Sequence, residues 1–149
     1  MKLFYFYLSL FISLTGFQNQ RLDYNLKNGF VANGYDVVSY FNDNPVKGNK
    51  KYAIQYDGVS FKFASQENMT IFQLNPTIYI PQYGGYCAYA IGAKSEKVGI
   101  NAETFDIQNG KLYLFYNAWG NNTLKFWEKD VKGLQQNADK NWERIKLRN

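Results

Sequence analysis

The sequence predicts an α+β domain: a small antiparallel sheet built of two hairpins, helices packed on it, and a helical C-terminal segment. Two stretches predict the hairpins. Tyr52, Ile54 and Tyr56 alternate before Asp57-Gly58, with Val59, Phe61 and Phe63 alternating after it; Phe105 and Ile107 precede Asn109-Gly110, with Leu112, Leu114 and Tyr116 following. A period of two gives each strand one apolar face, and Asp-Gly or Asn-Gly supplies the positive backbone angles of a two-residue turn. From about Thr123 the period lengthens. Leu124, Trp127, Val131, Leu134, Ala138, Trp142 and Ile145 recur three or four residues apart, the spacing of one or two amphipathic helices.

Composition supports one folded unit. The chain has 149 residues, 46% hydrophobic and 19% charged, too apolar for intrinsic disorder and too short for two independent cores.

Taken in order, Met1-Lys2 and the uncharged apolar run from 3 to 17 have the layout of a secretory signal peptide, with polar Gln18, Asn19, Gln20 and Arg21 behind it. The expected organisation is a leader at 1–20 and a single domain at 21–149, delivered to a periplasmic or extracellular location. The run is shorter than the ~20 residues of a spanning helix, so no stable membrane span is expected once the leader is removed. Residues 21–34 are polar and read as extended. Val37, Val38, Tyr40 and Phe41 form a short strand or turn, closed by Asn42-Asp43-Asn44-Pro45. After the first hairpin, Ser65 caps a helix to about Leu74, stopped by Asn75-Pro76. Residues 77–86 have no clear period and read as a packed loop. The second hairpin is expected to share the sheet of the first, and the C-terminal helices to break near Gly133. Trp119, Trp127 and Trp142 are expected to pack helices on the sheet.

The inventory excludes several chemistries. With no histidine and one cysteine, a His-based triad, a zinc finger or a multi-His metal site cannot be assembled within one chain. No nucleotide-binding glycine loop or GxSxG elbow is present. The net charge of +5 is spread among acids without a basic run, which argues against nucleic acid as a partner.

What remains is centred on Cys87. An unpaired cysteine in an exported chain is buried and inert, chemically reactive, or paired between chains, here as a homodimer through Cys87. Thiolate is the nucleophile and the metal ligand. Gly84-Gly85, just before it, permit a sharp turn and an amide nest that favours an anion; a tight turn into a buried strand explains them equally well. A soft, copper-like transition metal suits Cys87, with Met69 the only other soft ligand, yet a stable site needs two or more strong ligands. Oxidation to sulfenic acid, resolved by an external thiol or a partner protein, needs only one cysteine and no cofactor. Tyr35, Asp36, Tyr83, Gly84, Gly85 and Tyr86 are candidates to line a binding pocket beside it. Asp36, after Gly34-Tyr35, also reads as a turn acceptor for backbone amides.

Four blocks carry a family resemblance: GYDVVSYF from Gly34, YGGYCAYA from Tyr83, NGKLYLFY from Asn109, and FWEKDVKGLQQNADKNW from Phe126. Together they resemble the exported branch of the YHS domain family. The resemblance implies a small α+β domain, an exported location, a focus on the GGYCAYA block and a link to heavy-metal binding. It also implies chemical use of Cys87, because relatives sometimes carry selenocysteine at the matching position. The expected function is thus a thiol-redox or soft-metal-responsive role with an accessible, reactive Cys87. The alternative is a non-catalytic binding module, for a small ligand or a partner protein, in which Cys87 is structural.

Overall fold

A computed structural model describes residues 20–148, so the expected leader falls almost entirely outside the described residues. The α+β class is as predicted. Strands β1 (Leu26–Lys27) and β2 (Phe30–Val31) precede the first hairpin, β3 (Asn49–Tyr56) and β4 (Val59–Phe63). Asp57 and Gly58 turn that hairpin with φ of 52° and 76°, pairing Tyr56 with Val59 and Ile54 with Phe61. The sheet order is β1-β2-β4-β3, and β2 runs parallel to β4 through Phe30 and Ser60. The second hairpin, β5 (Asn101–Gln108) and β6 (Lys111–Phe115), turns at Asn109-Gly110 with φ of 51° and 72°.

The two hairpins form as expected but occupy separate sheets, which corrects the single sheet read from the sequence. One edge of each hairpin is taken by another segment: β2 lies along β4, and a parallel bridge from Cys87 to Leu114 lies along β6. They meet face to face instead, Leu112 and Leu114 packing in one core with Phe61, Phe63 and Phe72.

Among the helices, Ser65 caps α1 (Gln66–Leu74) by accepting a hydrogen bond from the Asn68 amide at 3.1 Å. Asn75 ends it as expected, but Pro76 then opens α2 (Pro76–Tyr79), where a first-turn proline loses no hydrogen bond. A 3-10 turn at Gln82–Gly85 and α3 (Ala88–Lys94) follow, so residues 77–86 are more ordered than a loop. Of the strand-or-turn reading of Val37–Phe41, the turn is what forms: Ser39–Asn42 is a 3-10 turn stopped by Asp43 in the left-handed region.

A third small hairpin, β7 (Asn117–Ala118) and β8 (Asn121–Asn122), leads to α4 (Leu124–Trp127) and α5 (Val131–Ile145). The break near Gly133 is found, at Glu128–Asp130. Asp130 Oδ1 accepts from the Gly133 amide at 3.0 Å, and a Cβ at 133 would sit 2.3 Å from Asp130 Oδ2, so this glycine serves the cap.

A second core joins Ile91, Tyr113, Phe115, Trp127 and Ala138, with Trp142 half-buried at its edge. Trp119 departs from expectation: it is 98% exposed, because the two-residue turn it makes with Gly120 points it outward from the β7–β8 tip.

The first and last stretches of the described residues are paired. Leu22 and Leu147 form an antiparallel bridge, flanked by Asp23 N to Lys146 O at 2.8 Å and Arg148 N to Arg21 O at 3.0 Å. Lys97 Nζ pins both ends, reaching Asp23 Oδ2 at 2.8 Å and Leu147 O at 3.3 Å. No helix among the described residues is long and apolar enough to cross a membrane.

Candidate functional site around Cys87

Tyr83, Gly84 and Gly85 are three consecutive left-handed residues, φ 56°, 60° and 79°, and they reverse the chain ahead of Cys87. The reversal packs against the chain's own N-terminal segment. Asn25 donates its backbone amide to Gly84 O at 2.9 Å and its side-chain amide to Gly85 O at 3.1 Å. A Cβ at 84 would sit 2.3 Å from Asp23 O and 3.1 Å from the Trp142 ring. Gly84 is needed for that close approach, and both glycines take the positive φ of the tight turn that is the other reading of this pair.

The tyrosines on either side are anchored to carboxylates. Tyr83 donates to Asp139 at 2.9 Å, and burial, then this bond, holds its phenol well above the usual tyrosine range. Tyr86 donates to Asp23 at 3.0 Å; burial first, then that bond, pushes it up to about 12, with Arg148 pulling the other way. Both phenols are therefore neutral donors at ordinary pH.

Cys87 sits where this reversal meets β6 and α3. Its amide donates to Val98 O at 2.9 Å and its carbonyl accepts from Ile91 N at 3.1 Å. Its exposure is 0%, which overturns the expectation of an accessible thiol; a disulfide-linked homodimer through Cys87 would first require the surrounding wall to open. The sulfur lies 3.3 Å from Thr123 Oγ1. The Thr123 hydroxyl donates to Tyr116 O at 2.8 Å, so its proton is committed and the thiol is the donor of the pair.

The buried thiol nonetheless belongs to a pocket of about 320 Å³ lined also by Tyr89, Lys94, Glu96, Tyr116, Asn121, Thr123 and Phe126. Tyr89 and Phe126 pack with ring centroids 5.5 Å apart, and Lys129 lies over Phe126 at 5.2 Å. Cys87, a lysine, a glutamate and an aromatic rim thus line one concavity.

The residues singled out in the sequence do not gather here. Asp36 is fully buried elsewhere and accepts from the amides of Val38 and Ala64, both at 2.9 Å, and from Asn68 Nδ2 at 2.7 Å; the turn-acceptor reading of it is the one the structure bears out. Tyr35 donates to Glu103 at 3.2 Å on the surface. Tyr83 and Gly84 line a separate, shallower depression with Lys111 and Asp139, and Tyr86 lines a cleft with Arg21 and Arg148. Met69 packs on the first core rather than beside Cys87. No group of three or more His, Cys, Asp or Glu that could hold a metal ion occurs among the described residues. Conversely, the sequence does not mark Thr123, Tyr116 and Phe126, which line the same pocket as Cys87 from about thirty to forty residues along the chain and leave no local pattern.

Compared with known families, residues 37–83 match the YHS domain. The match begins one residue after Asp36, takes in β3, β4, α1 and α2, and ends at Tyr83, short of Cys87. No curated protein matches the chain, and no solved structure does.

Proposed function

We propose that this chain is an exported YHS-domain protein, a leader at 1–20 followed by one domain over 21–149, that takes up a soft, thiol-seeking ligand in the pocket walled by Cys87. The observation that carries this reading is that Cys87, the chain's one cysteine, lines a pocket that also holds Lys94, Glu96 and an aromatic rim. A YHS domain is typically a candidate metal-binding domain, which agrees in kind. The resemblance to relatives with selenocysteine at this position supports a chemical use for the sulfur.

The chain supplies one soft donor, and Met69 is packed elsewhere, so a copper-like ion must draw its second ligand from a carrier molecule or a partner protein. The same thiol suits oxidation to sulfenic acid with an external thiol or redox partner resolving it. Either use requires the wall over the sulfur to open.

A second reading is favoured by the complete burial of Cys87 and its bond to Thr123: a non-catalytic binding module for a small ligand or partner protein, with a structural thiol. Titration of the protein with Cd²⁺ separates the two. The soft-ligand reading expects a thiolate-to-metal charge-transfer absorption that saturates, that is absent in Cys87→Ser, and that slows alkylation of the native protein by iodoacetamide. If no such absorption appears, and the thiol labels only after unfolding while Cys87→Ser lowers stability, the second reading stands.

A further inference from the structure

The pairing of the segments around Leu22 and Leu147 places two arginines against each other. With Leu22 opposite Leu147, the next position outward sets Arg21 opposite Arg148, and the bond from Arg148 N to Arg21 O at 3.0 Å fixes that register. Like charges directly across an antiparallel pair are destabilising. Both side chains line one cleft of about 300 Å³, together with Asp23, Asn25, Asp57 and Tyr86. Two carboxylates are therefore at hand, yet neither guanidinium forms an ion pair among the described residues. Those carboxylates are engaged otherwise: Asp57 accepts from Tyr24 at 2.9 Å, and Asp23 accepts from Tyr86 at 3.0 Å and pairs with Lys97 at 2.8 Å.

We infer that this cleft is an anion site, with Arg21 and Arg148 as its two jaws and a phosphate or phosphomonoester as its ligand. A guanidinium offers parallel N–H pairs to an oxyanion, and a tetrahedral dianion presents oxygens to both sides while matching two positive charges. A planar monocarboxylate matches only one. Asn25, which spends one amide hydrogen on Gly85 O, has a second to offer at the same cleft. An anion there removes the repulsion between the arginines, which gives the pairing of these segments a reason to carry like charges. The site is separate from the Cys87 pocket and does not depend on its chemistry.

The test is thermal unfolding of the protein against inorganic phosphate at constant ionic strength. A saturable rise in Tm is expected, with affinity reduced roughly 10-fold or more in Arg21→Gln and in Arg148→Gln, and unchanged in Lys132→Gln. Without phosphate, each arginine variant should be as stable as the parent or more so, since the like-charge pair is gone. Co-sedimentation with phosphatidylcholine vesicles containing phosphatidic acid then distinguishes a lipid headgroup from a soluble phosphate: arginine-dependent binding assigns the former, its absence the latter. The proposal is overturned if phosphate gives no saturable shift, or shifts the parent and both arginine variants equally.

Discussion

Asp36 is fully buried and holds together three parts of the chain. One carboxylate oxygen accepts from the amides of Val38 and Ser39 at 2.9 and 3.3 Å, fixing the 3-10 turn; the other accepts from Ala64 N at 2.9 Å and Asn68 Nδ2 at 2.7 Å, fixing the step from β4 into α1. Removing the carboxylate strands those donors in a dry place, and each buried unsatisfied group costs about 1–3 kcal/mol. Asp36→Ala should lower unfolding free energy by at least about 3 kcal/mol in urea titrations. Asp36→Asn, which keeps one acceptor oxygen, should fall between the two. A catalytic acid would behave otherwise: its loss would abolish activity and leave the urea midpoint in place. That Asp36 would be an acceptor of amides was legible from Gly34-Tyr35-Asp36 alone, because an Asx turn is local. The Cys87–Thr123 contact was not, because it joins residues thirty-six apart through a bridge, a hairpin and a helix start.

Among the elements, the β7–β8 hairpin and α4 give opposite answers for two tryptophans. Trp119 takes a left-handed φ of 55° beside Gly120 at 76°, the backbone of a turn that prefers Asn-Gly, and packs on nothing. Trp119→Asn is expected to stabilise the fold by roughly 0.5–1 kcal/mol, read as a rise in Tm. Trp127, with its exposure at 0%, packs on Tyr113 at 5.3 Å and Phe115 at 5.4 Å between ring centroids. Trp127→Ala should cost about 3–5 kcal/mol by the same measurement. The reverse ordering of the two variants would mean that the hairpin tip is covered and the second core is loose. Apolar spacing marked Trp127 correctly because the helical period is carried by its neighbours Leu124 and Val131. It could not place Trp119, whose conformation is set by a two-residue turn too short to have a period.

At the scale of the whole molecule, the hairpins, the Ser65 cap and the C-terminal helices were legible because each is written within a dozen or so residues. The division into separate sheets was not. It depends on Phe30 finding Ser60 and on Cys87 finding Leu114, pairings between distant segments that hydrophobic alternation does not encode. The same holds for the clasp of the two ends of the described domain, where Leu22 meets Leu147 and Lys97 ties Asp23 to Leu147.

That clasp brings the two ends of the described domain, residues 21 and 148, side by side. Arg21 and Arg148 form a hydrogen-bonded antiparallel pair, whose Cα atoms lie about 5.5 Å apart, so a linker of a few residues can join one to the other without distorting either. Where the chain is cut then matters little, provided the cut falls in an exposed turn such as Asn109-Gly110, whose glycine has open space around it. A circular permutant beginning at Gly110 and ending at Asn109, with residues 21 and 148 joined, should fold to the parent near-UV circular dichroism spectrum. A permutant that stays unfolded would show that β5 and β6 must be contiguous in the chain for the fold to form.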